Sequence, residues 1–64
     1  MTRKAADWVR DRDDLELVDF TRDGYQVVIV EGDDEAVSDF MQQFRYVWRG
    51  GFDADGAKVL HRKD

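Results

Sequence analysis

The Asp23-Gly24 dipeptide constrains the fold most, because it stands between two runs rich in β-branched and aromatic residues. Asp-Gly is favoured in the two-residue type I′ turn, whose backbone twist matches that of two antiparallel strands. A two-residue turn predicts a β-hairpin and also fixes its register. The predicted opposed pairs are Arg22 with Tyr25, Phe20 with Val27, Val18 with Ile29, and Glu16 with Glu31.

The predicted register divides the hairpin into two faces. One face is apolar through its middle and is expected to pack against the core; it carries Val18, Phe20, Val27 and Ile29. The other face is mixed, with an apolar end formed by Leu15, Leu17, Val28 and Val30. The run 25–31 is apolar on both faces, which is typical of a central strand.

A long second helix is predicted from Asp33 to the Gly50-Gly51 pair. Asp33 is a favourable N-cap, further acids follow in the first turn, and glycine commonly ends a helix. Between these limits the apolar residues recur at helical spacing on one stripe, which predicts a core-facing amphipathic helix. The stripe comprises Val37, Phe40, Met41, Phe44, Val47 and Trp48.

Two weaker elements complete the predicted order. A helix is expected over residues 3–13, and a short strand over 57–62 after the Asp55-Gly56 turn. The chain then forms a single α+β domain over 1–64 with the order α-β-β-α-β, which is the ferredoxin-like order without its first strand. We expect a small three-stranded mixed sheet packed against the helices, with the strand 57–62 parallel to 25–31.

Residues 21–40 resemble the third strand and second helix of acylphosphatases, and the segment Val-Glu-Gly-Asp-Asp-Glu-Ala-Val at 30–37 carries the likeness. The resemblance implies a ferredoxin-like fold but not the family's activity. The family's Gly-rich phosphate loop, with the Arg that follows, would lie on the missing first strand and its joint. Phe20 stands at the position of the family's catalytic Asn.

Residue types that carry catalysis or bind metals are scarce. The 64 residues include no Cys, one Ser (Ser38) and one His (His61), and these two lie far apart in sequence. Nucleophilic catalysis needs Ser or Cys beside a base, and thiolate metal sites need Cys. The segment 53–56, Asp-Ala-Asp-Gly, holds only part of a calcium loop. We therefore expect no enzymatic activity, no metal and no cofactor.

The composition indicates a solvent environment rather than a partner. The chain has twelve Asp but three Lys, and a formal net charge of −5. A dense carboxylate surface of this kind is typical of cytoplasmic proteins from halophiles, although a GC-rich genome gives a similar bias. The longest apolar run, 27–30, is too short to cross a bilayer, and the first residues lack the apolar segment of a signal peptide. We expect a cytoplasmic protein that does not bind membranes.

Protein binding, most simply as a homodimer, is the first functional hypothesis. A domain this short buries little surface, so self-association would add burial. The apolar end of the mixed hairpin face is the candidate surface: Leu15, Leu17, Val28 and Val30. The alternative is that the first helix covers this surface with Trp8 and Val9.

Nucleic-acid binding by the basic ends of the chain is the alternative function. The candidate residues in the C-terminal part are Arg45, Arg49, Lys58, Arg62 and Lys63. Tyr46, Trp48 or Phe52 could stack on bases. A pI near 4.6 argues against this class, because nucleic-acid-binding domains are mostly basic. A third possibility is that the acidic segment 13–39, with a net charge of −9 from ten acids and one base, mimics a nucleic acid.

Overall fold

Six elements follow one another in the order α-β-β-α-β-β. The computed structural model describes residues 3–63, and describes Arg3 and Lys4 by their backbone only. The elements are α1 (Arg3–Arg10), β1 (Leu15–Phe20), β2 (Val27–Gly32), α2 (Asp34–Phe44), β3 (Tyr46–Phe52) and β4 (Lys58–Arg62). Within the described residues, no helix has the length and apolar character needed to cross a membrane.

The four strands form one sheet in the order β1-β2-β4-β3, with every neighbouring pair antiparallel. The α+β class is confirmed, but the three-stranded mixed sheet is wrong. The strand 57–62 does lie beside β2 as expected, yet it runs antiparallel to it. The direction differs because the chain forms an additional strand, β3, at the edge of the sheet before it forms β4, and β4 is antiparallel to both of its neighbours.

The second helix is shorter than predicted, which frees residues for β3. Its start is confirmed, because Asp33 occupies the N-cap position with extended backbone dihedrals. The helix ends at Phe44, where Arg45 takes a left-handed conformation with φ 61° and donates its backbone N–H to the carbonyl of Met41. Val47 and Trp48, predicted on the helical stripe, lie in β3.

The first hairpin has a longer loop than a two-residue turn allows. Residues 21–26 connect the strands, and Gly24 and Tyr25 have positive φ values of 88° and 61°. Thr21 closes the loop: its N–H donates to the carbonyl of Val27 at 2.9 Å, and its hydroxyl accepts the N–H of Val27 at 3.1 Å. The predicted Arg22–Tyr25 and Phe20–Val27 pairs are therefore wrong.

A β-bulge at Val18 changes which side chains face the core. Glu16 pairs with Glu31 as predicted, but the register shifts between Leu17 and Asp19, so that Ile29 pairs with Asp19 rather than Val18. An extra residue in one strand reverses the facing of the residues that follow it. Phe20 accordingly pairs with Val28 and packs against the core.

The core lies between the sheet and the two helices. Phe40 of α2 is fully buried, and its ring lies 5.2 Å from that of Tyr46 and 6.0 Å from that of Trp8. Side chains from both helices and all four strands surround it. The buried cluster comprises Ala5, Val9, Leu15, Val28, Val30, Ala36, Val37, Phe40, Tyr46 and Leu60.

Candidate functional site

The predicted protein-binding residues are brought together, but in the core. Leu15 is 5 % exposed, Val28 and Val30 are fully buried, and Leu17 packs against the same cluster. Val9 belongs to this cluster and Trp8 packs against it, as the alternative interpretation of α1 expected. The expected exposure of these four residues is therefore wrong, because the helices cover the hairpin face that carries them.

The opposite face of the sheet is the uncovered one, and we call it the outer face. Side chains alternate between the two faces of a strand, so the neighbours of the buried residues belong to the outer face. These neighbours form the pairs Val27–His61, His61–Val47 and Ile29–Val59. These five side chains are half-buried, and Val18 beside them is 40 % exposed. Over residues 3–63 no element packs on this face, because both helices contribute to the core on the other side.

Charged residues frame the outer face unevenly. On the β1–β2 side lie Glu16, Asp19 and Glu31, and on β3 strand alternation places Arg49. Residues 15–32 carry four acids and one base, a net charge of −3, whereas residues 45–63 carry five bases and two acids, a net charge of +3. Lys58 and Arg62 pair with the buried residues Val30 and Tyr46, so strand alternation places these two bases on the helix side of the sheet. The outer face thus has an apolar middle, three acids on its β1–β2 side and Arg49 on β3.

The predicted nucleic-acid-binding residues all lie on or beside the β3–β4 hairpin. Arg45, Arg62 and Lys63 meet at one end, where the N–H of Lys63 donates to the carbonyl of Arg45 at 2.7 Å. Arg49 lies in β3. Lys58 is committed elsewhere: its Nζ lies 2.8 Å from Asp34 Oδ1, and this hydrogen bond lowers the pKa of Asp34 below its ordinary value.

Two of the three predicted stacking residues are accessible. Trp48 is 37 % and Phe52 56 % exposed, and their rings meet edge to face at 5.3 Å. The Lys58 ammonium lies 4.9 Å from the Trp48 ring, which holds the cation against the aromatic pair. Tyr46 is excluded from stacking because it is buried, and burial raises its pKa to about 12. Its hydroxyl donates to the carbonyl of Tyr25.

An open cleft of about 980 Å³ lies between α1, β1 and the residues that follow β2. Two of its charged residues, Arg12 and Asp14, are joined by two hydrogen bonds of 2.8 Å. The Arg12 guanidinium lowers the pKa of Asp14, mainly by these hydrogen bonds, and lies 4.6 Å from the Trp8 ring. Each charge thus has a partner within the fold, so the pair stabilises the α1–β1 connection rather than presenting a reactive group.

The residues that could support catalysis lie apart. Ser38 is on α2, where its hydroxyl accepts a hydrogen bond from Gln42 at 3.2 Å, whereas His61 is on the outer face of the sheet. Among residues 3–63, no three His, Asp or Glu side chains are grouped as metal ligands would be.

Sequence reasoning named the outer-face residues but assigned them to the core. Val18, Val27 and Ile29 were predicted to face the core. Val47 was predicted on the second helix, so its position on the outer face was missed. The usable signal was that the run 25–31 is apolar on both faces, so one of the two faces had to remain outside the helix layer.

Comparison with protein-family models, with curated proteins and with solved structures finds no match for this chain.

Proposed function

We propose that this protein is a small non-enzymatic interaction module that binds protein, a second copy of itself included, through the outer face of its sheet. The observation that supports this most is the uncovered group of branched apolar side chains in the middle of that face. Contiguous apolar surface on a small domain commonly marks an interaction site. The helix layer uses the other side of the sheet, so this surface can bind a partner without any change of fold.

The edges of the sheet favour binding by the face over binding by strand addition. An edge strand can recruit another strand when it is regular and flat. β1 has a bulge at Val18, and the pairing of β3 is interrupted between Trp48 and Phe52, where Gly50 has a φ of 85°. Both edges are therefore poor templates, whereas the face between them is continuous from β1 to β3.

Replacing Ile29 by Asp is expected to abolish self-association while leaving the fold intact. Ile29 lies at the centre of the outer face, and a carboxylate there would have to lose its water when a partner packs on it. The control is Gln43→Asp, which adds the same charge on an exposed position of α2. Sedimentation equilibrium of the three proteins measures the result.

The wild-type protein and Gln43→Asp should show twice the 7.5 kDa monomer mass at high concentration, and Ile29→Asp only the monomer mass. Wild-type protein that stays at 7.5 kDa from micromolar to millimolar concentration would contradict self-association. A dimer that survives Ile29→Asp would place the interface elsewhere. Circular dichroism of each variant checks that the fold is retained.

Nucleic-acid binding by the β3–β4 hairpin is the second candidate function. It is favoured by one observation, that a segment with a net charge of +3 also presents the exposed Trp48–Phe52 pair. Base stacking on aromatic side chains beside cations is the usual mode of single-strand binding. Binding of a labelled single-stranded oligonucleotide that Trp48→Ala weakens and Ile29→Asp does not change would favour this candidate. Absence of binding in dilute buffer would remove it.

We also propose that the acidic composition is an adaptation to high salt in the cytoplasm. Ten acids and one base lie between 13 and 39, and Glu16 and Glu31 are direct neighbours across β1 and β2. Molar KCl should screen this repulsion and raise the melting temperature. The Glu16→Gln variant should be more stable than wild type in dilute buffer and should gain less from salt. A midpoint that stays flat or falls with KCl would contradict the proposal.

A further inference from the structure

We propose that the partner on the outer face is a second copy of this chain, packed face to face so that β1 of each sheet, which carries Asp19, lies over β3 of the other, which carries Arg49. This inference rests on the proposed function and adds the identity and orientation of the partner. It follows from the charge distribution and from the symmetry that a homodimer imposes.

The outer face is complementary to itself in charge. Glu16, Asp19 and Glu31 lie on the β1–β2 side of this face, and Arg49 lies on its β3 side. A two-fold interface uses the same surface of both copies, so the position of the axis decides which group of one copy lies opposite each acidic group of the other. A surface with acids on one side and a base on the other can therefore pair with itself, provided that the orientation sets opposite charges together.

Two orientations of the two-fold axis are possible when sheets pack face to face with their strands aligned. With the axis across the strands at the level of Ile29, which pairs with Asp19, each strand lies over its own copy, so Asp19 would face Asp19 and Arg49 would have no carboxylate opposite it on β3. With the axis along the strands, the sheet order places β1 over β3 and β2 over β4. Like charges repel across an interface, so the charge pattern selects the axis along the strands.

The apolar middle fits the same orientation. Ile29 and Val59 are direct neighbours on the two central strands β2 and β4. With the axis between these strands, Ile29 of each copy lies over Val59 of the other, and Val27 lies over His61. Two branched side chains from each copy then surround the axis, and the charged edges lie outside them, as in interfaces with an apolar centre and a polar rim.

Cross-linking can distinguish the two orientations because the chain contains no Cys. Packed sheets lie about 10 Å apart, which a short bismaleimide can bridge, whereas β1 and β3 are separated sideways by about another 14 Å, or three strand spacings. The variants Asp19→Cys and Arg49→Cys are made separately. Each variant is treated with the cross-linker by itself, and a mixture of the two variants is treated in the same way. Both side chains are exposed, so each substitution should leave the fold intact.

The proposed arrangement predicts covalent dimer from the mixture and little from either variant alone. Cross-linking of Asp19→Cys with itself, at a rate equal to that of the mixture, would overturn the orientation. If this occurs while Ile29→Asp still abolishes the dimer, the proposed function stands and only the orientation falls. If the wild-type protein forms no dimer at any concentration, both the orientation and the proposed self-association are wrong.

Charge reversal gives an independent readout of the same contact. Asp19→Arg and Arg49→Asp should each weaken dimerisation by at least about tenfold in dilute buffer, because each places like charges opposite one another twice. Mixing the two variants should restore the wild-type dissociation constant, since every opposed pair then has opposite signs. The matched control is Gln43→Arg on α2, which should leave dimerisation unchanged. Single reversals without effect would contradict the proposed orientation.

Discussion

Replacing Phe40 by Ala is expected to cost about 3–5 kcal/mol of folding free energy and to abolish cooperative unfolding. Loss of a buried Phe side chain removes its transfer free energy and leaves a cavity, and this range is usual for such a change. Phe40 is fully buried and its ring lies against those of Trp8, Phe44 and Tyr46. A single core of this size supplies only about 3–5 kcal/mol in total, so the loss consumes the stability of the domain.

Urea denaturation followed by circular dichroism measures the effect. The control is Gln43→Ala, because Gln43 is exposed on the same helix, and its loss should cost less than about 0.5 kcal/mol. Equal midpoints for the two variants would mean that Phe40 does not anchor the helix layer on the sheet.

Replacing Gly32 by Ala is also expected to destabilise the fold, for a different reason. A Cβ at this position would overlap the carbonyl oxygen of Asp14 and lie 2.9 Å from the Cα of Leu15. Both neighbours are backbone, so neither can rotate away, and the end of β2 would have to separate from β1. Overpacking of this kind costs about 1–3 kcal/mol and occasionally more.

The matched control for Gly32→Ala is Gly51→Ala in β3. A Cβ on Gly51 would meet only the Cβ of Val59, at an ordinary van der Waals distance of 3.8 Å. Thermal midpoints should therefore fall sharply for Gly32→Ala and change little for Gly51→Ala. A Gly32→Ala protein as stable as wild type would contradict the close approach of β2 to the residue that precedes β1.

A local signal in the sequence predicted the start of α2, whereas its end was missed. Asp33 marks the start of α2, because an Asp followed by further acids is a local signal of a helix start. The end of α2 was missed because Val47 and Trp48 continue the 3–4 spacing by coincidence. Apolar periodicity cannot show that Arg45 takes a left-handed conformation, and that single residue separates helix from strand.

The facing of the hairpin was not predictable from the pattern alone. A shift of one residue moves every side chain to the other face of a strand, and β2 is apolar on both faces. The pairing of Glu16 with Glu31 was correct, and Phe20 packs against the core as predicted. The bulge lies between them, and it leaves Val18 and Ile29 on the opposite face from Phe20. Packing of Val9 and Phe40 against Val28 and Val30 decides which face is buried, and such contacts are not local in sequence.

The location of the uncovered surface depends on which hairpin face the helices cover. The sequence indicated that one apolar hairpin face would lack a cover, and it named Leu15, Leu17, Val28 and Val30. Because the helices lie on those residues, the uncovered surface is the one that carries Val27 and Ile29 instead. The contribution of Val47 and Arg49 to it required β3, which the sequence analysis had placed in a helix.

The most direct test of the outer face uses Ile29, which is the only isoleucine in the chain and lies at the centre of that face. Selective labelling of its δ1 methyl group with ¹³C gives one NMR signal that reports on this position alone. The signal should shift as the protein is diluted from millimolar to micromolar concentration, and a mixture with unlabelled protein should show intermolecular contacts from this methyl group to valine methyls. A methyl signal that does not change over the whole dilution series, with no intermolecular contact, would contradict self-association through the outer face.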